Sequence, residues 1–188
     1  MAPYIADVLR TPFIEPSAPV LGREPSRGRE WIHEVKHDGW RAQLHKAGDD
    51  VVIFSRSGAD FTKRFRSIAD AVLKLPTPSA IVDAELIACD AEGAPNFYAL
   101  MGGAKHGCCA YCFDLLEFEG RSLVGDPLDE RRFLLRRLMQ RADRDTGASP
   151  KPLTIRWRCW TPVRSRALKA LFRSCEATAI GRGKTQGG

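Results

Sequence analysis

The stretch Trp31-Ile32-His33-Glu34-Val35-Lys36-His37-Asp38-Gly39-Trp40-Arg41 decides how the chain is read. It is a short apolar-alternating run that ends in a glycine, and strand alternation sends Glu34, Lys36 and Asp38 to one face while His37 points the other way. Gly39 lets the backbone bend or a ligand come close. An amine, a carboxylate and a glycine within four residues is a place to build a covalent lysine intermediate. A free lysine has a pKa of about 10.4, so attack on an electrophile requires that value to be lowered or the proton removed. A divalent metal or a cationic cluster nearby does this. K-x-D-G also occurs at ordinary strand-to-turn junctions, so these residues alone leave a catalytic and a structural role open.

Outward from this run, the order of elements predicts an α+β fold with antiparallel sheets flanked by helices. Strands are expected over about Trp31 to Lys36, Arg41 to Lys46, Val51 to Ser55, Ala80 to Cys89 and Ala110 to Leu116, mostly joined by short turns. Gly48-Asp49-Asp50 and Asp90-Ala91-Glu92-Gly93 mark two of those turns. Phe61, Phe65, Ile68, Ala69, Val72 and Leu73 recur at helical spacing, which predicts a helix from about Asp60 to Leu75, capped by Asp60 and ended by Pro76.

A second helix is expected from Asp126-Pro127, with the aspartate capping and the proline in the first turn. Its apolar stripe is Leu128, Leu135, Leu138 and Met139. Arg131, Arg132, Arg136, Arg137 and Arg141 crowd the rest, either as a solvated face or as a track for a DNA backbone. Asp143 to Pro152 reads as a loop, followed by a short strand near Leu153 to Trp157 and a helix from about Thr161-Pro162 to Cys175.

Composition sets independent bounds. The chain has 188 residues, 44% of them hydrophobic, which suffices for one substantial core. A net charge of +6 and a pI near 9.2 favour a polyanionic partner such as nucleic acid or nucleotide. No run approaches the roughly 18 apolar residues of a membrane span, and Met1 to Pro16 lacks a secretory pattern, so no membrane partner and a cytoplasmic location are expected. Cys89, Cys108, Cys109, Cys112, Cys159 and Cys175 show no disulfide-framework spacing. His106 with Cys108, Cys109 and Cys112 invites a zinc interpretation, but no second ligand pair stands at a finger spacing, and packed thiols are the plainer expectation.

Three further segments join the lysine run. They are Phe54-Ser55-Arg56-Ser57-Gly58, Ile81-Val82-Asp83-Ala84-Glu85-Leu86 and Tyr111-Cys112-Phe113-Asp114-Leu115-Leu116. With K-x-D-G-x-R ahead of them, the four in this order resemble the motifs of ATP-dependent DNA ligases of the bacterial end-joining type. The likeness runs from about Trp31 to Leu138.

The resemblance implies roles. Lys36 is the nucleophile that carries AMP. Glu34, Asp38, Gly39, Arg41, Arg56, Glu85 and Phe113 bind the nucleotide, Glu85 contacting the ribose and helping to organise metal, Arg56 approaching nucleotide or DNA, and Phe113 stacking on adenine. Simple alternation turns Arg41 away from Lys36 unless Gly39 introduces a bulge. ATP and magnesium (or manganese) are the implied cofactors. Nicked duplex DNA and other end-joining proteins are the implied partners of a monomer. Each residue also has a plainer role: Glu85 and Asp83 as a solvent-facing pair of acids, Phe113 as core, Arg56 as a snorkelling edge residue, Trp31 and Trp40 as packing.

The expected organisation is an N-terminal extension over 1–30, an incomplete adenylation (nucleotidyltransferase) domain over 31–174, and an irregular tail over 175–188. A complete ligase of the type resembled continues to a Glu-Gly segment, a lysine-bearing strand for the α-phosphate and a barrel domain. Glu176 to Gly188 matches none of these and reads as truncated or shifted out of frame, so complete nick sealing by the chain alone is not expected. Gly183-Lys184-Thr185 ends like a phosphate loop, but Thr178 stands where the first glycine belongs, and three residues remain for the helix such a loop opens. Two other classes stay open: an inert ligase fragment that binds nucleotide or DNA, and an RNA ligase or capping-type nucleotidyltransferase, which shares the lysine motif.

Overall fold

The structure is a computed structural model and describes residues 13–17, 31–35, 39–88, 100, 107–145, 155–157 and 177–181. Strand β1 (Trp31–Val35) pairs antiparallel with β8 (Ala177–Gly181). The larger sheet has the order β3 (Asp50–Ser55), β2 (Trp40–Ala47), β4 (Ser79–Ala88), β5 (Cys108–Phe118), β6 (Arg121–Ser122), with β7 (Ile155–Trp157) lying parallel to β5. Among the described residues, helices α1 (Arg66–Leu73) and α2 (Leu128–Asp145) join these sheets in an α+β fold.

Alternation explains the layers. From β2, β3 and β4, the side chains of Ala42, Leu44, Ile53, Val82, Ala84, Leu86 and Ala88 enter one core. Ile68, Ala69 and Val72 of α1 and Leu135, Leu138 and Met139 of α2 close over it. Burying a residue such as Ile68 or Leu135 contributes about 1.5–3 kcal/mol. Trp40 packs on Phe61 and Phe65 and lies under the Arg64 guanidinium, 4.2 Å from its ring centre. The opposite face of the sheet carries the polar residues of the same strands, and the segment 13–17 crosses it. There the Gln43 amide clamps both backbone groups of Ile14, and Ile14 packs on Ala47, Ile81 and Leu116.

The first helix is shorter than its pattern. Residues Asp60 and Phe61 are still tied to β3, through a bridge to Phe54 and a bond from the Phe61 N–H to the Ile53 carbonyl. Asp60 therefore accepts the Thr62 N–H in a turn, and the helix begins at Arg66 with no side-chain cap. Its end is closed by Lys46, buried beneath it, whose Nζ donates to the carbonyls of Leu73 and Leu75. Burial pushes that ammonium below its ordinary pKa.

In the second helix the Asp126 carboxylate pairs with Arg121 as the chain enters at Leu128. Arg131 is not part of a solvated face: it is 7% exposed, because Asp114 on β5 draws its guanidinium inward. The tail is not wholly irregular either. Ala177–Gly181 alternates small and β-branched residues, a sequence able to pair in the ladder with β1. The expected turn at Asp90 to Gly93 and the helix from Thr161 to Cys175 lie outside the described residues.

Candidate functional site

Gly39 opens β2 against the backbone of β4. A Cβ there would stand 2.4 Å from the Leu86 carbonyl oxygen, 2.7 Å from Ile87 Cγ2 and 2.9 Å from Glu85 Cγ. Only glycine permits this approach, so its place in K-x-D-G is sterically required. Gly39 leads directly into the row that holds the candidate site. Arg41 of β2 pairs with Glu85 of β4, which pairs with Tyr111 of β5.

Strands β1 and β2 belong to different sheets, and Lys36, His37 and Asp38 between them lie outside the described residues. Arg41 lies on the polar face, where its Nε and Nη2 donate to the two carboxylate oxygens of Asp83 at 3.2 and 2.8 Å. Its Nη1 donates to the Ser17 carbonyl at 2.9 Å. The guanidinium carbon sits 5.5 Å from the centre of the Phe113 ring, within cation–π range. Burial lowers the Arg41 pKa, but the hydrogen bond and charge of Asp83, with Glu85 and Asp114 beyond, outweigh this and raise it. Burial pushes the Asp83 carboxyl upward, opposed by Arg41.

Asp83 is thus no solvent-facing acid. It is 3% exposed, because Arg41 covers it from β2. Glu85 on the same face is half-buried beside Arg41. Phe113 is also half-buried, and it occupies a bulge: Asp83 pairs with Asp114 and Ala84 with Cys112, which leaves Phe113 as the extra residue. Cys112 faces the core, where burial drives its thiol pKa far up; Cys109 is buried as well, as packed thiols would be. His106 lies outside the described residues.

Arg41, Glu85 and Phe113 are therefore brought together, with Gly39 against them. Arg56 is exposed in the turn after β3, one residue past Ser55, whose partner is Ala42 beside Arg41. Glu34 lies in β1 opposite Thr178. Lys36, His37 and Asp38 lie outside the described residues. The bulge, and the engagement of Asp83, Asp114 and Arg131, were not foreseen. One clue was available for Asp83: it stands two residues before Glu85 in a strand, hence on the same face.

Among the described residues no group of three or more His, Cys, Asp or Glu side chains is placed to hold a metal. Carboxylate oxygens suit a divalent ion, and the acids on this face of β4 are Asp83, whose two oxygens accept from Arg41, and Glu85, paired in register with Arg41.

Residues 22–155 match the family model described as ATP dependent DNA ligase domain. The chain belongs to this ATP-dependent DNA ligase family. Among curated relatives, the multifunctional non-homologous end joining protein LigD of Pseudomonas aeruginosa is 34% identical over 143 residues, which are 72% of this chain and 17% of that protein. The "Probable DNA ligase" of Beutenbergia cavernae is 40% identical over 108 residues, 52% of this chain and 21% of that protein. Among solved structures, the ligase domain of M. tuberculosis LigD superposes with a TM-score of 0.67 at 25% identity, over 84% of this chain and 51% of that one. A mycobacterial DNA ligase D complexed with ATP and MES shares the fold at a TM-score of 0.64 and 24% identity, covering 91% of this chain and 56% of that chain. This ligase-family chain therefore spans about a fifth of the two curated relatives and about half of the two solved ligase chains.

Proposed function

We propose that this ligase-family chain is an adenylation domain that uses ATP to load AMP onto Lys36 for sealing nicks in duplex DNA during repair. The Lys36 Nζ attacks the α-phosphorus of ATP; a P–N bond forms and the bond to pyrophosphate breaks. The AMP then passes to a DNA 5′-phosphate, and a 3′-hydroxyl displaces it as the phosphodiester closes. Phe113 stacks on adenine and Glu85 meets the ribose. Arg41, held by Asp83, sets positive charge beside the nucleotide, and Arg56 stands at the same end of the sheet. Glu85 would help hold a magnesium or manganese ion, which would supply positive charge to offset that on the phosphates. Glu34 and Asp38 flank the nucleophile in sequence.

The observation that carries this proposal is the juxtaposition of Arg41, Glu85 and Phe113 beside Gly39, directly after Lys36-His37-Asp38. The family description supports ATP and DNA as substrates, and the relationship to LigD supports a role in end joining with its associated proteins. The test is incubation with α-labelled ATP and magnesium, followed by nicked DNA or nicked RNA in competition. Transfer of label to the 5′-phosphate of DNA is expected. Preferential transfer to RNA would assign the chain to the RNA ligase or capping class, and absence of any labelled protein would make it an inert nucleotide- or DNA-binding relative.

A further inference from the structure

The bulge at Phe113 is fastened from outside the sheet. A bulged residue is out of step with the ladder, so the direction of its side chain is set by whatever holds its backbone and the residue after it. Here both are held from α2. Arg132 Nε donates to the Phe113 carbonyl at 3.2 Å. Arg131 Nε and Nη2 donate to the two carboxylate oxygens of Asp114 at 2.9 and 2.7 Å, and its Nη1 donates to the Asp126 carbonyl at 2.8 Å. Asp114 also accepts the N–H of Leu115 at 2.8 Å.

Stability alone does not call for such an arrangement. Removing a guanidinium and a carboxylate from water offsets much of their attraction, and well-packed apolar side chains often serve as well. What a bidentate fork does supply is orientation, because its planar donors match one carboxylate geometry. Two successive arginines gripping two successive residues fix the bulge in translation and in twist. The ring it presents is the one that meets the Arg41 guanidinium on the polar face.

We propose that Arg131 and Arg132 are positioning residues for base recognition: from the back of the sheet they hold the bulge that aims the Phe113 ring at the adenine. The proposal rests on the adenylation function given above. It assigns no contact with ATP to either arginine.

The test compares the binding of ATP with that of ribose 5-triphosphate, which lacks the base, by calorimetry on the full chain. Wild type is expected to prefer ATP. Arg132→Met is expected to weaken ATP binding about five- to tenfold, within the value of one base–aromatic stack, while its affinity for ribose 5-triphosphate stays as in wild type. Arg131→Met alone leaves Asp114 unpaired, so the double variant Arg131→Met with Asp114→Leu replaces the ion pair by an apolar contact and is expected to fold yet lose the same preference. Equal loss of affinity for both probes would mark a merely structural role and overturn the proposal, as would an undiminished preference for ATP in both variants. If wild type itself shows no preference, the adenylation function falls and the proposal falls with it; that outcome is told apart by appearing before any substitution is made.

Discussion

Asp83 and Asp114 face each other across β4 and β5, and each is clamped by a different arginine, Asp83 by Arg41 from β2 and Asp114 by Arg131 from α2. Burial disfavours the charged form of Asp83, and the charge of Asp114 nearby adds to that effect. The arginines offset both effects, and in doing so they tie the helix behind the sheet to the strand that carries Arg41. Asp83→Asn keeps the shape and removes the charge. With Arg41 24% exposed and able to recover some solvation, the loss is expected to be about 2–3 kcal/mol, below the full value for breaking a buried pair. Urea unfolding checks the figure, and ATP affinity is expected to fall with it as Arg41 loses its anchor.

Gly39 gives a steric prediction. Gly39→Ala puts a methyl group 2.4 Å from a backbone oxygen that cannot rotate aside, so β2 must move away from β4. The expected cost is about 2–3 kcal/mol, the upper part of the range for overpacking. Thermal unfolding reads it directly, and adenylation is expected to fall further than stability alone explains, because the displaced strand carries Arg41.

Glu117 supplies the pH dependence. Burial raises its pKa, opposed by the Gly120 N–H and the Ser79 hydroxyl on Oε1, while Oε2 is buried without a partner. A raised carboxyl pKa means that the folded state binds the proton more tightly. Its contribution is therefore fully present below the ordinary value of 4.5 and lost as pH rises through the raised folded value. Glu117→Gln is expected to flatten the fall in stability across that window, measured as melting temperature against pH. An unchanged slope would place the titration elsewhere.

A contrast between core and surface calibrates the scale. Leu135 is fully buried against the sheet, and Leu135→Ala is expected to cost about 3 kcal/mol in urea unfolding. Arg66 and Asp70 pair at 3.0 Å with side chains 77% and 53% exposed, and Arg66→Ala is expected to change stability by less than about 0.5 kcal/mol.

The strands of the sheet were legible in the sequence because each carries one apolar face, as Val82, Ala84, Leu86 and Ala88 show in β4. Period-two patterning also put Glu85 on the polar side. Boundaries were less legible where a local bond competes with the pattern: Asp60 and Phe61 share helical spacing with Phe65 and Ile68, yet their hydrogen bonds to β3 win. The bulge at Phe113 arises from how β5 registers on β4, a relation between distant segments that no local pattern encodes. For the same reason Arg131 looked like one more surface arginine: its partner lies seventeen residues earlier, on another element.

The central claim is that one amine carries the adenylyl group, and the most direct measurement locates that group on the polypeptide. After incubation with ATP and magnesium, protease digestion and mass spectrometry are expected to find AMP on the peptide containing Lys36, and Lys36→Ala is expected to abolish the adduct. AMP on any other residue, or an adduct that persists in Lys36→Ala, would contradict the account.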